Sequence, residues 1–277
     1  MPEVSLLQLA VLGIAVALFA VATVAFIIRS RQGLARAERI GRACFWVGTL
    51  IVVGTLIWHS ADRERWLPLG DNFSALVWLA LLLALFIAYM QRTRPLVALN
   101  GFLLPIVVVL LIGAGIFGRL QPHQYVATAW TGVHLVTVYA GSAAFAVAAA
   151  GGLMYLLANR RLRNKSTMPS MNLGSLERLE HLTLYAVTVG FPLLTLGLIT
   201  GLVLILSDPK NSLGARWFTS PKVLLAFCVW VIYGLVLHSP LNPSFRGRRA
   251  ALLSVLGFVL MVGTLIAVQF MPSGAPH

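Results

Sequence analysis

The chain has 277 residues, of which 59% are hydrophobic and only 10% are charged, with a mean hydropathy of +0.88. A soluble domain of this length needs far more polar surface to cover its core, so the composition excludes a soluble globular protein. The formal net charge of +13 is also found in nucleic-acid-binding proteins, but the placement of the basic residues argues against a nucleic-acid partner.

Eight apolar runs in the sequence are long enough to cross a bilayer. A spanning helix needs about 20 mostly apolar residues, and backbone in hydrocarbon must satisfy its own hydrogen bonds, so each run is predicted to be a helix. We therefore predict an all-α integral membrane protein, a bundle of about eight transmembrane helices that forms one polytopic membrane domain over residues 1–277. The runs lie near residues 6–28, 43–60, 73–90, 96–117, 129–157, 182–206, 222–240 and 250–270.

The basic residues are distributed unevenly between the two sides of this predicted bundle. By the positive-inside rule, the loops after spans one, three, five and seven are predicted to be cytoplasmic and both termini extracytoplasmic. The positive charge is then topological, and anionic membrane lipid is its expected partner. Fifteen of the 21 basic residues fall on the predicted cytoplasmic side: Arg29, Arg31, Arg36, Arg39, Arg42, Arg92, Arg94, Arg160, Arg161, Arg163, Lys165, Arg178, Arg246, Arg248 and Arg249.

Small residues in spans five and six are typical of tight helix packing. Span six contains Gly197-xxx-Gly201, a spacing that lets membrane helices approach closely. Span five is rich in Ala and Gly and is expected to run through the centre of the bundle. We interpret both features as packing rather than as ligand sites.

The histidines are the candidates for chemistry inside the membrane. His134 lies about 7 Å below the outer end of span five, and His238 lies about 24 Å down span seven, near the cytoplasmic face. Ionisable residues within spans are costly and indicate function, although a hydrogen-bonded imidazole in helix packing remains the alternative. His59 ends span two on the outside, where a functional role and a hydrogen-bonded packing role are both open. Two further histidines are interpreted as solvated: His123 and His181.

Haem iron is one partner for such imidazoles, because histidine is a common axial ligand. Two axial nitrogens on one iron lie only about 4 Å apart, since each bond is about 2 Å long. His134 and His238 differ in predicted depth by far more, so they cannot share one iron. Either the protein has two haem positions, or one of the two histidines has another role.

Other chemistries receive less support from the sequence. No predicted span contains a buried carboxylate, which disfavours an ion-coupled or proton-coupled transporter. No HExxH or similar cluster suggests a zinc site. Cys44 and Cys228 lie in predicted spans, and no CxxC or CxxCH occurs, so we predict no thiol-exchange motif and no covalent haem attachment in this chain.

The stretch from Trp217 to His238 resembles the tryptophan-rich segment of cytochrome c assembly proteins of the CcsA/ResC and HemX-like group. Three positions depart from that pattern, because Thr219 and Leu225 replace Trp residues and Ser220 replaces an Asp. The resemblance extends over residues 45–277. It is carried by Trp217, Pro221, Lys222, Trp230, Tyr233 and His238, by Trp130-xxx-His134-xxxx-Tyr139-Ala140, by the loop Pro68-Leu69-Gly70-Asp71-Asn72-Phe73-Ser74, and by Arg246-Gly247-Arg248-Arg249 and the closing Gly274-Ala275-Pro276-His277.

The resemblance implies a set of haem-binding residues. The tryptophan-rich segment, with Trp217 and Trp230, would present a non-covalently bound b-type haem. His134 and His277 would be its external iron ligands, His238 would belong to an inner haem position, and His59 is an alternative external ligand. A second assembly subunit and apocytochrome c are the protein partners that the resemblance implies.

We interpret the chain as a bacterial inner-membrane protein that guides haem to the extracytoplasmic side for c-type cytochrome assembly and is not itself an enzyme. The replacement of two Trp residues and one Asp makes the sequence more similar to the HemX-like branch of the group. The alternative is therefore a membrane regulator of haem synthesis that binds a soluble partner through the basic loop 158–180. A small-solute transporter is a third hypothesis.

Overall fold

A computed structural model of the protein describes residues 5–62, 71–93, 97–120, 128–164, 173–207, 220–241 and 245–270. Within these residues the chain forms eight α-helices, each long and apolar enough to cross a membrane. The prediction of an all-α, multi-span membrane protein is confirmed. The helices are α1 (Leu6–Gln32), α2 (Ala35–Asp62), α3 (Asn72–Thr93), α4 (Val97–Leu120), α5 (Ala129–Arg163), α6 (Leu176–Ser207), α7 (Pro221–Leu237) and α8 (Arg248–Phe270).

Several helices continue well beyond the apolar runs. Helix α2 starts at Ala35 rather than near residue 43, so the arginines before its apolar run are helical. Glu38 stabilises this polar first part, because it pairs with Arg42 one turn later at 2.6 Å and with Arg29 of α1 at 2.9 Å. Gly33 ends α1 in the left-handed conformation, with a φ of 72°, and only Leu34 separates it from α2.

Helix α7 ends earlier than its apolar run. The run extends to residue 240, but α7 stops at Leu237, and a short 3₁₀ turn follows at Ser239–Leu241. Pro240 explains the difference, because proline cannot donate a backbone hydrogen bond and disfavours the helical conformation at the residue before it. His238 therefore occupies the C-cap position of α7 instead of a place inside the helix.

The contacts within the chain divide it into two compact units. Unit 1 comprises residues 1–125 and 160–175, and unit 2 comprises residues 126–159 and 176–277. Unit 1 therefore holds α1 to α4, and unit 2 holds most of α5 together with α6, α7 and α8. The prediction of a single polytopic domain stays a prediction, because two contact units can fold as one domain.

Unit 1 is built around α1 and α4, which pack against each other and against α2 and α3 respectively. Its core includes Phe19 of α1 and Phe45 of α2, both fully buried, whose rings meet edge to face at 6.1 Å. At the end where α3 begins, the ring of Phe73 fills the space beside Gly118 of α4. Unit 1 thus closes tightly around the start of α3.

Unit 2 is held together by close contacts of α5 with its neighbours. A Cβ on Gly152 would lie 2.8 Å from the backbone oxygen of Ala251, so α5 and α8 approach as closely as glycine allows. Phe145 of α5 stacks on Tyr233 of α7 at 3.6 Å, and the Tyr233 hydroxyl donates to the Ser254 backbone oxygen at 3.2 Å. Tyr233 therefore connects three helices as a packing residue.

Candidate functional site

His134 lies in the second turn of α5 and points at α6. Its Nδ1 lies 2.9 Å from the backbone oxygen of Gly197 and 3.4 Å from Oγ1 of Thr200. A carbonyl oxygen only accepts, so Nδ1–H is the donor, and the neutral ring carries its lone pair on Nε2. The ring is half-buried, and Nε2 is the nitrogen left for a ligand.

Gly201 provides the space that the His134 ring occupies. A Cβ on Gly201 would lie 2.8 Å from Cε1 and 3.2 Å from Nδ1 of that ring. At Gly197 the corresponding neighbour is Val138, whose Cγ2 would lie 2.9 Å away. The two glycines do allow α5 and α6 to approach closely, as their spacing predicts, and at Gly201 the close neighbour is the imidazole itself.

His238 is exposed at the C-terminal end of α7, and its hydrogen bonding follows the same pattern as that of His134. Its Nδ1 lies 2.8 Å from the backbone oxygen of Gly234, one turn earlier. Nδ1–H is again the donor, and Nε2 carries the lone pair in the neutral ring. His134 and His238 are thus both held by a backbone carbonyl in the same tautomer.

The distance between these two imidazoles can be estimated from the residues of α6 against which α5 and α7 pack. Gly234 of α7 packs against the Phe191 ring, whereas His134 packs against Gly201, ten residues further along α6 and about 15 Å away. His238 is one turn beyond Gly234 in the opposite direction, which adds about 6 Å. A separation of roughly 20 Å far exceeds the roughly 4 Å between two axial nitrogens on one iron, so the pair cannot share a metal.

Trp230 belongs to an aromatic cluster between these two levels. Its indole Nε1 donates to Oγ1 of Thr195 on α6 at 3.0 Å. Its ring stacks with Phe191 at 5.4 Å and with Phe227 at 5.9 Å. Trp230 is half-buried and Phe227 is exposed, so the cluster presents flat apolar surface along α6 and α7.

His59, at the end of α2 in unit 1, makes its hydrogen bond through Nε2, whereas His134 and His238 make theirs through Nδ1. The side chain is buried, and its Nε2 lies 2.8 Å from Oδ2 of Asp71. The ring of Phe73 lies beside the imidazole, with a centroid distance of 4.7 Å. Nδ1 is buried and has no hydrogen-bond partner among the described residues. In His59 the open nitrogen is therefore Nδ1 rather than Nε2.

Asp71 is the residue that sequence reasoning missed. It is buried and precedes α3, where Oδ1 accepts hydrogen bonds from the backbone N–H and the hydroxyl of Ser74, both at 2.7 Å. This is an N-cap arrangement, and it leaves Oδ2 for His59. The sequence signal is an Asp three residues before a Ser at the start of an apolar run, but nothing in it identifies His59 as the second partner.

The hydrogen bonds on Asp71 predict a pH dependence of stability. Burial raises the pKa of this carboxyl, but the hydrogen bonds from His59 and Ser74 outweigh that effect and lower the pKa from 3.8 to about 2. A folded-state pKa below the unfolded value gives a stabilisation that is present above pH about 4 and is lost as pH falls through about 2. Its size is about 2 kcal/mol, on the order expected for such a shift.

We therefore expect the stability difference between the wild type and Asp71→Asn to shrink between pH 4 and pH 2, measured as the free energy of unfolding in detergent. The matched control is Asp62→Asn, since Asp62 is exposed and accepts its hydrogen bond from Nε2 of Gln8 at 2.9 Å. Parallel pH curves for the wild type and Asp71→Asn would contradict the assignment.

The remaining predicted residues divide into two groups. Trp217, His277 and His123 lie outside the described residues, and so do residues 68–70 of the loop before α3. His181 of α6 is exposed, with Nε2 at 3.9 Å from Glu177, which agrees with its interpretation as a solvated residue. In the described parts of the chain no group of three or more His, Cys, Asp or Glu side chains could hold a bare metal ion.

Comparison with known proteins adds family information to this geometry. Residues 66–275 match the family model described as Cytochrome C assembly protein. The curated relatives include the cytochrome c biogenesis protein CcsA of Prochlorococcus marinus (strain MIT 9303), 37% identical over 107 residues that cover 39% of this chain and 32% of the relative. CcsA of Guillardia theta is 32% identical over 120 residues, which cover 43% of this chain and 38% of the relative.

The match therefore spans about a third of the length of these curated relatives. Among solved structures, "Cytochrome c Heme Lyase CcmF" aligns with a TM-score of 0.67 and 17% identity, over 99% of this chain and 48% of that chain. This likeness shows the same fold. None of these three relatives carries a HemX description, so they lend no support to the regulatory alternative.

Proposed function

The chain belongs to the cytochrome c assembly protein family, and on that premise we propose that it binds haem in the membrane and guides it to the extracytoplasmic side for c-type cytochrome assembly. The observation that carries this proposal is the shared hydrogen bonding of His134 and His238. Each ring donates from Nδ1 to a backbone carbonyl and keeps a lone pair on Nε2. Histidines that bind metals typically have their second nitrogen held in this way.

The separation of the two histidines supports two haem positions. The charge distribution predicts that α5 begins on the extracytoplasmic side and that α7 ends on the cytoplasmic side. His238 would then receive haem near the cytoplasmic face, and His134 would hold it near the outer face. The chain's own part in this transfer is to supply one neutral imidazole at each level, held in the orientation that leaves Nε2 open.

The aromatic cluster supports a path between the two levels. Trp230, Phe191 and Phe227 offer flat apolar surface, and a porphyrin packs favourably on such rings. Trp217 and His277 complete the proposal as an external aromatic contact and an external ligand. Because the sequence has no CxxCH motif, the haem would be held non-covalently, as b-type haem.

The proposal gives the chain a binding role rather than the formation of the thioether bond. The solved relative named a haem lyase is only 48% covered by this chain, and we assign to this chain the haem-handling part alone. A second assembly subunit and apocytochrome c would then be its protein partners. Its place would be the bacterial inner membrane, which the eight apolar helices would cross.

Purification tests the proposal directly. We expect the protein purified from haem-fed cells to show a Soret band, and a strain lacking it to lose covalently bound haem from its c-type cytochromes. His181→Ala is the matched control, because His181 is exposed and its Nε2 lies 3.9 Å from Glu177 rather than on a backbone carbonyl, so this variant should keep the spectrum and restore maturation. Protein without a Soret band, together with normal cytochromes in the deletion strain, would end the proposal.

A further inference from the structure

A single carboxylate divides the arginines around the α1–α2 turn into two sets. Glu38 pairs with Arg29 at 2.9 Å and with Arg42 at 2.6 Å, so the charges of these two arginines are offset. The turn still keeps an excess of positive charge at particular side chains. Three arginines of this region are exposed and have no acidic partner among the described residues: Arg31, Arg36 and Arg39.

Arg36 and Arg39 lie on the exposed face of α2. An α-helix turns about 100° per residue, which places both arginines in the same arc as the exposed apolar side chains that follow them. This face of α2 therefore changes from cationic to apolar within about two turns. The arc continues with Ile40, Ala43, Trp46, Val47 and Leu50, and the opposite side carries the buried residues Gly41, Phe45, Gly48 and Val52.

The positions of the two arginines along α2 match the headgroup layer of a bilayer. The apolar run of α2 begins near residue 43, so Arg39 lies about 6 Å and Arg36 about 10 Å before it. A headgroup layer is roughly 5–8 Å thick on each side of the hydrocarbon, and the long arginine side chain can extend into it. Trp46 is 50% exposed and lies about 10 Å beyond Arg39, where the acyl chains begin.

Two cations at this spacing favour a shared anion. Arg36 and Arg39 are three residues apart on one side of the helix, where like charges repel. An anion between them removes this repulsion, and a guanidinium binds phosphate oxygens through paired N–H donors. A zwitterionic headgroup brings its own cation, so a headgroup with a net negative charge fits better. The adjoining apolar face suits an acyl chain, which a soluble anion lacks.

From these observations we propose that Arg36 and Arg39 bind the phosphate of an anionic phospholipid, whose acyl chain lies along α2 past Trp46. The charge distribution of the sequence predicts only that the basic loops as a whole face anionic lipid. This site is narrower, because Glu38 already pairs with Arg29 and Arg42 and leaves two particular arginines of α2 for the headgroup. The proposal is independent of haem binding.

Fluorescence of Trp46 tests the site in the full-length protein. Bromine atoms on an acyl chain quench a tryptophan that the chain contacts, and the difference between the wild type and Trp46→Phe isolates the signal of Trp46. The probes are phosphatidylcholine vesicles that contain either brominated phosphatidylglycerol or brominated phosphatidylcholine. We expect the brominated phosphatidylglycerol to quench Trp46 more strongly. High salt should reduce this preference, because exposed charges are screened.

Substitution of the two arginines should remove the preference, with each variant compared with the same variant carrying Trp46→Phe. Arg36→Gln and Arg39→Gln should each reduce it up to about fivefold, the contribution of one basic residue at an anionic membrane surface. In the double variant both lipids should quench equally. Arg39→Lys keeps the charge and loses only the paired N–H donors, so it should retain most of the preference. Both positions are exposed, so the variants should fold.

Two controls separate a local site from an effect of total charge. Arg42→Gln removes an arginine of the same helix that Glu38 already offsets, and Arg160→Gln removes an exposed arginine near the end of α5. Each lowers the net charge by one, as Arg39→Gln does, but should change the preference far less. An equal loss in Arg39→Gln and in either control would overturn the site.

Two results with the wild type would also overturn the proposal. Equal quenching of Trp46 by the two brominated lipids would show that the face does not select an anionic headgroup. Loss of the preference on addition of inorganic phosphate at constant ionic strength would show that the arginines bind a soluble anion instead of a lipid.

Discussion

Substitution of His134 and of His238 by alanine should remove two separate haem signals. The rings lie roughly 20 Å apart along the helices of unit 2, too far for one iron to take both. In the purified protein, each single variant should therefore lose its own share of the Soret absorbance. The double variant should lose the sum of the two shares, and each loss should weaken binding at that position at least about tenfold.

Maturation of c-type cytochromes should respond differently from the spectra. If haem passes from His238 to His134, the two positions act in series, and either single variant should reduce covalent haem staining as strongly as the double variant does. His181→Ala serves as the control in both measurements. Single variants that each abolish the whole Soret band would show that the two histidines serve one haem, which contradicts the two-position arrangement.

The number of helices could be predicted from the sequence because the bilayer sets the length and the apolar character of each span. Any run of about 20 apolar residues must satisfy its backbone hydrogen bonds internally, so hydropathy alone identifies the spans. The helix ends could not be predicted in the same way. Helix α2 begins at Ala35, within arginine-rich sequence, because Glu38 pairs with cations and helical hydrogen bonding continues beyond the hydrocarbon.

The end of α7, unlike the start of α2, could have been predicted, because the sequence contains a residue that ends the helix. Pro240 falls inside the apolar run that predicts span seven, and proline disfavours helix at the residue before it. Considered together with hydropathy, this residue places His238 at the helix end rather than within it. The hydropathy of the run gives no such information, since Ser239 and Pro240 change its average little.

The partners of His134 and His59 depend on packing that local sequence does not encode. His134 and Gly197 are 63 residues apart, and the hydrogen bond between them exists only because α5 and α6 pack closely. His59 and Asp71 are 12 residues apart across a loop, and each has a plausible local role without the other. The sequence could therefore nominate these two imidazoles, but the nitrogen left free in each is decided by tertiary contacts.

Alanine at Gly201 should disable the site at His134 while the protein still folds. The added Cβ would lie 2.8 Å from Cε1 of the ring, closer than real Cβ contacts, so the imidazole must move away from α6. This movement breaks the Nδ1–H hydrogen bond to Gly197 and releases the tautomer that keeps Nε2 open. Loss of such a second partner weakens metal binding about 10- to 100-fold.

The matched control is Gly263→Ala in α8, because a Cβ there meets nothing within 4 Å. Both substitutions add one methyl group to a membrane helix, but only Gly201→Ala displaces a candidate ligand. We expect Gly201→Ala to cost about 1–3 kcal/mol of stability, as overpacking does, and to purify as a folded protein with the haem at His134 lost. A wild-type Soret band and normal hemin affinity in Gly201→Ala would show that the orientation of His134 imposed by α6 has no part in haem binding.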